Sequence, residues 1–146
     1  ADTGKILYEK DSEKKRDVGG LSTLLTTYLI FEAIHEKKLS LKDPIKLSEK
    51  ALALNDIEGA GTLPMEANQY TVEQLLTALL VGNSSTAALA LAEKVGGSEK
   101  SFVEKMKKKL AEWGIQSPHL INATGLNTQT ISGDPDGKKT KSIECL

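Results

Sequence analysis

The stretch from Leu21 to Lys37 constrains the fold more than any other part of the chain. Its apolar residues Leu21, Leu24, Leu25, Tyr28, Leu29, Phe31, Ala33 and Ile34 surround nearly the whole cylinder of a helix at its start. A helix apolar on most faces belongs at the centre of a domain, with other elements packed against it. The 146 residues are sized for one such domain, able to bury roughly 70% of the surface of the unfolded chain. A balance of 19 basic against 20 acidic residues excludes the basic excess that nucleic-acid binding requires.

The remaining segments supply layers for this helix. Gly4 to Lys10 alternates, with Ile6 and Tyr8 on one face, and reads as a short strand. Ile45-Lys46-Leu47 reads as a second short strand, and Ser48 caps a brief helix through Leu54. Asn55 to Asn68 has no clean period and reads as a loop. Thr71 and Gln74 form a capping box for a helix through Val81. After Gly82-Asn83-Ser84-Ser85, an Ala- and Leu-rich helix runs to Val95. Ser98 then caps a helix over 99–113, with Phe102, Val103, Met106, Leu110 and Trp113 on one stripe. Its lysines 105, 107, 108 and 109 read as a solvated face, and Gly114 as the residue that ends it. Ser117 to Asn127 reads as short and extended, and residues 128–146 as a polar tail with little to pack.

Several chemistries find no support. No run approaches the roughly 18 apolar residues that span a bilayer. Residues 1–4 lack the basic start and apolar run of a signal peptide. His35, among lysines on a helix, and His119, in a loop, join no cluster at ligand spacing, so no metal or other cofactor is expected. The single cysteine, Cys145, has no internal partner and reads as an incidental tail residue.

Taken in series, ADTGKILYEKD, LLTTYLIFEAIHEKKLSLKDPIKLSEKA, QYTVEQLLTALLV, AALALAEKVGGSEKSFVEKMKKKLAEWGI and HLINATGLN resemble the serine D-alanyl-D-alanine carboxypeptidases, the low-molecular-weight penicillin-binding proteins of bacterial cell walls. The resemblance covers most of residues 1–127. It implies an α+β, mostly α fold: the helical region of a β-lactamase/D,D-peptidase-like domain, with a short N-terminal β-hairpin and an incomplete sheet. On this reading residues 1–127 are a partial D,D-peptidase-like domain, and 128–146 a tail holding a remnant of the third-motif strand. The implied partners are peptidoglycan stem peptides or β-lactams, and the implied location is extracellular or at the cell envelope.

Catalysis in that family rests on three groups of residues. The first is S-x-x-K, where one helical turn lets a neutral lysine amine take the serine proton. Alignment through LLTTYL places Gly20 at the nucleophile position and Thr23 at the lysine position. Glycine carries no hydroxyl and threonine no amine. Gly19-Gly20 is thus either a flexible lead into the helix or a disarmed site. The second group is S-x-N, whose serine relays protons and whose asparagine holds the substrate amide. Asn83, Ser84 and Ser85 stand there with the polar types reversed, as cleft groups or as helix caps. The third is K-T-G, which binds the substrate carboxylate. Lys139 and Thr140 match it within DGKKTKS, with Lys141 in place of the glycine. The string Ser12-Glu13-Lys14-Lys15 is a coincidence, because lysine in so charged a turn stays protonated near a pKa of about 10.4.

The sequence therefore leads to three expectations: a carboxypeptidase relative with little or no hydrolytic activity, a non-catalytic module binding peptidoglycan or protein, or a structural fragment completed by another chain or a second copy. A class A β-lactamase is the nearest enzymatic alternative, and the same missing serine would disable it.

Overall fold

The computed structural model describes residues 3–12, 22–57, 63–115, 120 and 122–126. Its helices begin where side chains satisfy the free N–H groups of a first turn. The first helix, α1 (Ser22–His35), closes at Lys37, which takes a left-handed φ of 58° so that the Lys38 N–H reaches the Ala33 carbonyl at 2.9 Å. Strand β1 (Pro44–Lys46) follows, then α2 (Glu49–Ala53), capped by the Ser48 hydroxyl, and a single 3₁₀ turn over 54–56. Strand β2 (Gln69–Thr71) leads directly into α3 (Val72–Gly82). The Thr71 hydroxyl accepts the Gln74 N–H, and the Gln74 side chain accepts the Thr71 N–H, completing the capping box.

The next two helices, α4 (Ser85–Gly96) and α5 (Glu99–Glu112), start at the caps Ser84 and Ser98. Gly97 ends α4 at φ +77° and Gly114 follows α5 at φ +84°. Between α4 and α5 the chain turns tightly. A Cβ on Gly96 would lie 2.7 Å from the Phe102 Cβ and 2.8 Å from its backbone nitrogen, so only glycine allows this approach.

The protein is mostly α, with one small antiparallel sheet in which Ile45 faces Tyr70. The central element is α4 rather than α1. Residues Ser85 to Ala92 are buried all round, and α4 packs against α1, α2, α3 and α5. Four alanines in this stretch, at 87, 88, 90 and 92, keep α4 slim enough for four neighbours. By contrast α1 buries Leu25, Leu29, Ile30 and Ala33, while Leu24, Tyr28 and Phe31 face outward.

Two further expectations are adjusted. Residues 4–9 carry no strand, and Ile6, Leu7 and Tyr8 are exposed; a strand needs a pairing partner, and no described segment provides one. The lysines of α5 are more engaged than a solvated face requires. Lys105 donates to the Val95 carbonyl at the end of α4, and Lys109 joins Glu32 to Glu112.

Candidate functional site

The junction between α3 and α4 holds three of the residues singled out from the sequence. Asn83 is the C-cap of α3, with φ 49° and ψ 38°, and its side chain is exposed. Asparagine tolerates this left-handed backbone better than most residues. Ser84 is the N-cap of α4; its buried hydroxyl accepts the Ala87 N–H at 3.2 Å and lies 3.4 Å from the Met65 sulfur. Asn83 thus ends one helix and Ser84 starts the next. Ser85, 5% exposed, is the first residue of α4, and its hydroxyl makes no hydrogen bond among the described residues.

One wall beside this junction is fixed by Asn55. Its amide nitrogen donates to the Met65 carbonyl at 2.9 Å, and its amide oxygen accepts the Met65 N–H and the Thr86 hydroxyl. Met65 is thereby held under Ser84. Outside it lies an apolar cleft of about 720 Å³ lined by Leu63, Pro64, Tyr70, Ala78 and Val81.

A second wall joins α1 to the loop over 122–126. Asn122 folds that loop by accepting the Gly125 N–H at 2.7 Å and the Thr124 hydroxyl at 3.2 Å, while donating to the Leu126 carbonyl at 2.8 Å. Thr26 of α1, fully buried, donates to the Ala123 carbonyl at 2.8 Å. Glu99 accepts the Ala123 N–H at 3.4 Å and pairs with Lys50 of α2. The Ala123 residue is thus held by α1 on one side and by α5 on the other.

Charge is concentrated elsewhere, between α1 and α5. Glu32, and after it Glu112, hold the Lys109 ammonium above its ordinary pKa, and Lys109 in turn lowers that of Glu112. Lys109 also lies 5.9 Å from the centre of the Tyr28 ring.

Thr23 lies in the first turn of α1, where its carbonyl accepts the Thr27 hydroxyl at 2.8 Å. Asn83, Ser84 and Ser85 meet at one junction on α4, the helix against which α1 packs. Gly20, Lys139 and Thr140 lie outside the described residues, as do His119 and Cys145. Thr26, Asn55 and Glu99 were not singled out from the sequence. Each acts across a long separation that no local pattern encodes. The Asn122 loop did carry a local signal, since an Asn with a Gly three residues on favours a side-chain-closed turn.

With this geometry in place, comparison with known proteins decides the family. Residues 1–136 match the model of the D-alanyl-D-alanine carboxypeptidase family. The chain belongs to that family. The D-alanyl-D-alanine carboxypeptidase DacF of Bacillus subtilis is 32% identical over 128 residues, covering 88% of this chain and 32% of the relative. A peptidoglycan synthesis regulatory factor, PBP3 of Streptococcus pneumoniae, superposes with a TM-score of 0.84 at 43% identity, covering 97% of this chain and 43% of that one. The carboxypeptidase DacD of Francisella tularensis superposes at 0.77 with 28% identity, covering 86% of this chain and 30% of that one. The chain thus spans about a third of the curated relative and under half of either solved structure. No helix among the described residues is long and apolar enough to cross a membrane.

Proposed function

We propose that this chain is a carboxypeptidase-type domain of the cell envelope that engages peptidoglycan stem peptides, and β-lactams that resemble them, without forming an acyl-enzyme. The observation that carries the reading is the pair Gly20 and Thr23 at the nucleophile and base positions. Acyl transfer needs an oxygen that attacks the penultimate carbonyl and an amine that takes its proton while D-alanine leaves. Gly20 has no oxygen to form the ester, and Thr23 has no amine to accept the proton. The nearby hydroxyls do not substitute. Three residues after Ser22, Thr23, Thr26, Ser84 and Ser85 stand Leu25, Thr26, Leu29, Ala87 and Ala88, none of them a lysine.

Binding without turnover is supported by the polar groups at the α3–α4 junction. The exposed Asn83 amide and the Ser85 hydroxyl, which makes no hydrogen bond among the described residues, offer donors and acceptors where the family's S-x-N holds a substrate amide. Lys139 and Thr140 would add a carboxylate contact, with residues 1–127 forming the domain and 128–146 a tail bearing that remnant. The test is an NMR titration with a short peptide ending in D-alanyl-D-alanine. Resonances of Asn83, Ser84 and Ser85 should move together and saturate. Resonances that stay fixed at millimolar peptide would remove the binding half of this proposal.

A further inference from the structure

We propose that Asn55 is the positioning residue of the α3–α4 junction, closing a circuit of contacts that fixes Ser85 for a peptide ending in D-alanyl-D-alanine. The inference rests on the binding reading above and names the side chain on which that binding depends.

Asn55 stands in the 3₁₀ turn after α2, 10 residues before Met65 and 31 before Thr86. Its amide nitrogen donates to the Met65 carbonyl at 2.9 Å, and its amide oxygen accepts the Met65 N–H at 3.3 Å and the Thr86 hydroxyl at 3.0 Å. One planar group thus serves both backbone groups of a residue that belongs to no helix or strand. An amide can do this at neutral pH; a carboxylate accepts without donating, and an apolar side chain does neither. The Met65 sulfur in turn receives the Ser84 hydroxyl at 3.4 Å.

These contacts close on themselves. The circuit passes from Asn55 to Met65, from Met65 to Ser84, along the chain through Ser85 to Thr86, and back to Asn55. Ser85 is its one member whose side chain makes no hydrogen bond among the described residues, yet the residues on both sides of it are tied. The ties are needed because Ser85 is the first residue of α4, where backbone N–H groups lack helical partners and hold the chain least. A hydroxyl held in place before the ligand arrives is not ordered at the expense of binding. Asn55 is itself exposed, so truncating it opens the circuit while removing little packing.

The experiment titrates the parent, Asn55→Ala, Asn55→Asp and Thr86→Val with a short peptide ending in D-alanyl-D-alanine, followed by NMR at 25 °C with each protein folded by circular dichroism. Asn55→Ala should weaken Kd about five- to tenfold while Tm falls by only about 2–6 °C. Without peptide, hydrogen exchange should quicken at Ala87 and Ala88, whose N–H groups bond to Ser84, and stay as in the parent along α5. Thr86→Val opens the same circuit from α4 and should weaken Kd over the same range. Asn55→Asp supplies an acceptor without a donor at pH 7 and should bind as weakly as Asn55→Ala. At pH 4, close to the ordinary aspartate pKa of about 3.9, its protonated carboxyl carries both, and its Kd should approach that of the parent at the same pH. Asn55→Ala should show no such recovery, which separates positioning from a general loss of stability. A folded Asn55→Ala or Thr86→Val protein that binds as tightly as the parent would overturn the proposal and leave the binding reading standing. A parent whose resonances do not move with peptide would remove both.

Discussion

Replacing Gly96 by alanine separates two effects of opposite sign. Alanine is favoured over glycine within a helix by about 1 kcal/mol, and it also restricts the unfolded chain. In open space the substitution in the last turn of α4 would therefore stabilise. Here the new Cβ would sit 2.7 Å from the Phe102 Cβ, 2.8 Å from its backbone nitrogen and 3.0 Å from its Cα. Two of these neighbours are backbone atoms, and Phe102 is fully buried, so no flexible side chain can yield. Relief requires the start of α5 to move off α4. Overpacking costs about 1–3 kcal/mol, and against backbone atoms the upper part of that range, about 2–3 kcal/mol, applies, leaving a net loss of roughly 1–2 kcal/mol after the helix preference of about 1 kcal/mol is offset. Urea unfolding followed by circular dichroism measures it, with an expected fall in midpoint of about 0.5–1 M at unchanged slope. Gly97→Ala serves as the control, since nothing lies within 4 Å there and only its φ of +77° opposes a side chain. A Gly96→Ala protein as stable as the parent, or more stable, would refute the close packing of α4 on α5.

Three further outcomes follow from individual contacts. Thr26→Val keeps shape but strands the Ala123 carbonyl; a loss of about 1–3 kcal/mol is expected, with faster hydrogen exchange over 122–126. Lys37→Gly relieves a left-handed backbone in a non-glycine residue and should raise stability by about 0.5–1 kcal/mol in the same urea assay. Glu112→Gln tests the Lys109 cluster. Lys109 holds Glu112 below its ordinary value near 4.5, so this contribution is present above that pH and is lost as pH falls through the lowered pKa. The variant should therefore melt slightly below the parent at pH 7 and converge with it in acid; a gap that persists at pH 2 would contradict the assignment.

The parts of the fold that were legible in the sequence are those decided within one helical turn. Ser48, Thr71 with Gln74, Ser98 and Gly114 each fix a helix boundary through neighbouring backbone groups, and each acts as read. Strand β2 escaped because three residues are too few to show alternation. The identity of the central helix also escaped. The large apolar residues of α1 draw the eye, whereas α4 takes the centre because its alanines admit neighbours on every side. At the candidate site, the polar run Asn83-Ser84-Ser85, reversed relative to S-x-N, was visible, but the backbone role of its first two residues was not. Asn83 is a left-handed C-cap, followed at once by Ser84 as an N-cap. The clamp on Ala123 joins positions 97 and 24 residues apart and could only come from the folded chain.

The central proposal is that this member of the carboxypeptidase family lacks the acylating pair. Intact mass spectrometry after prolonged incubation with excess benzylpenicillin tests it most directly. With Gly20 and Thr23 at the two reactive positions, the protein should keep its unmodified mass. A stoichiometric increase by one penicillin, mapped to a hydroxyl of this chain, would contradict the account.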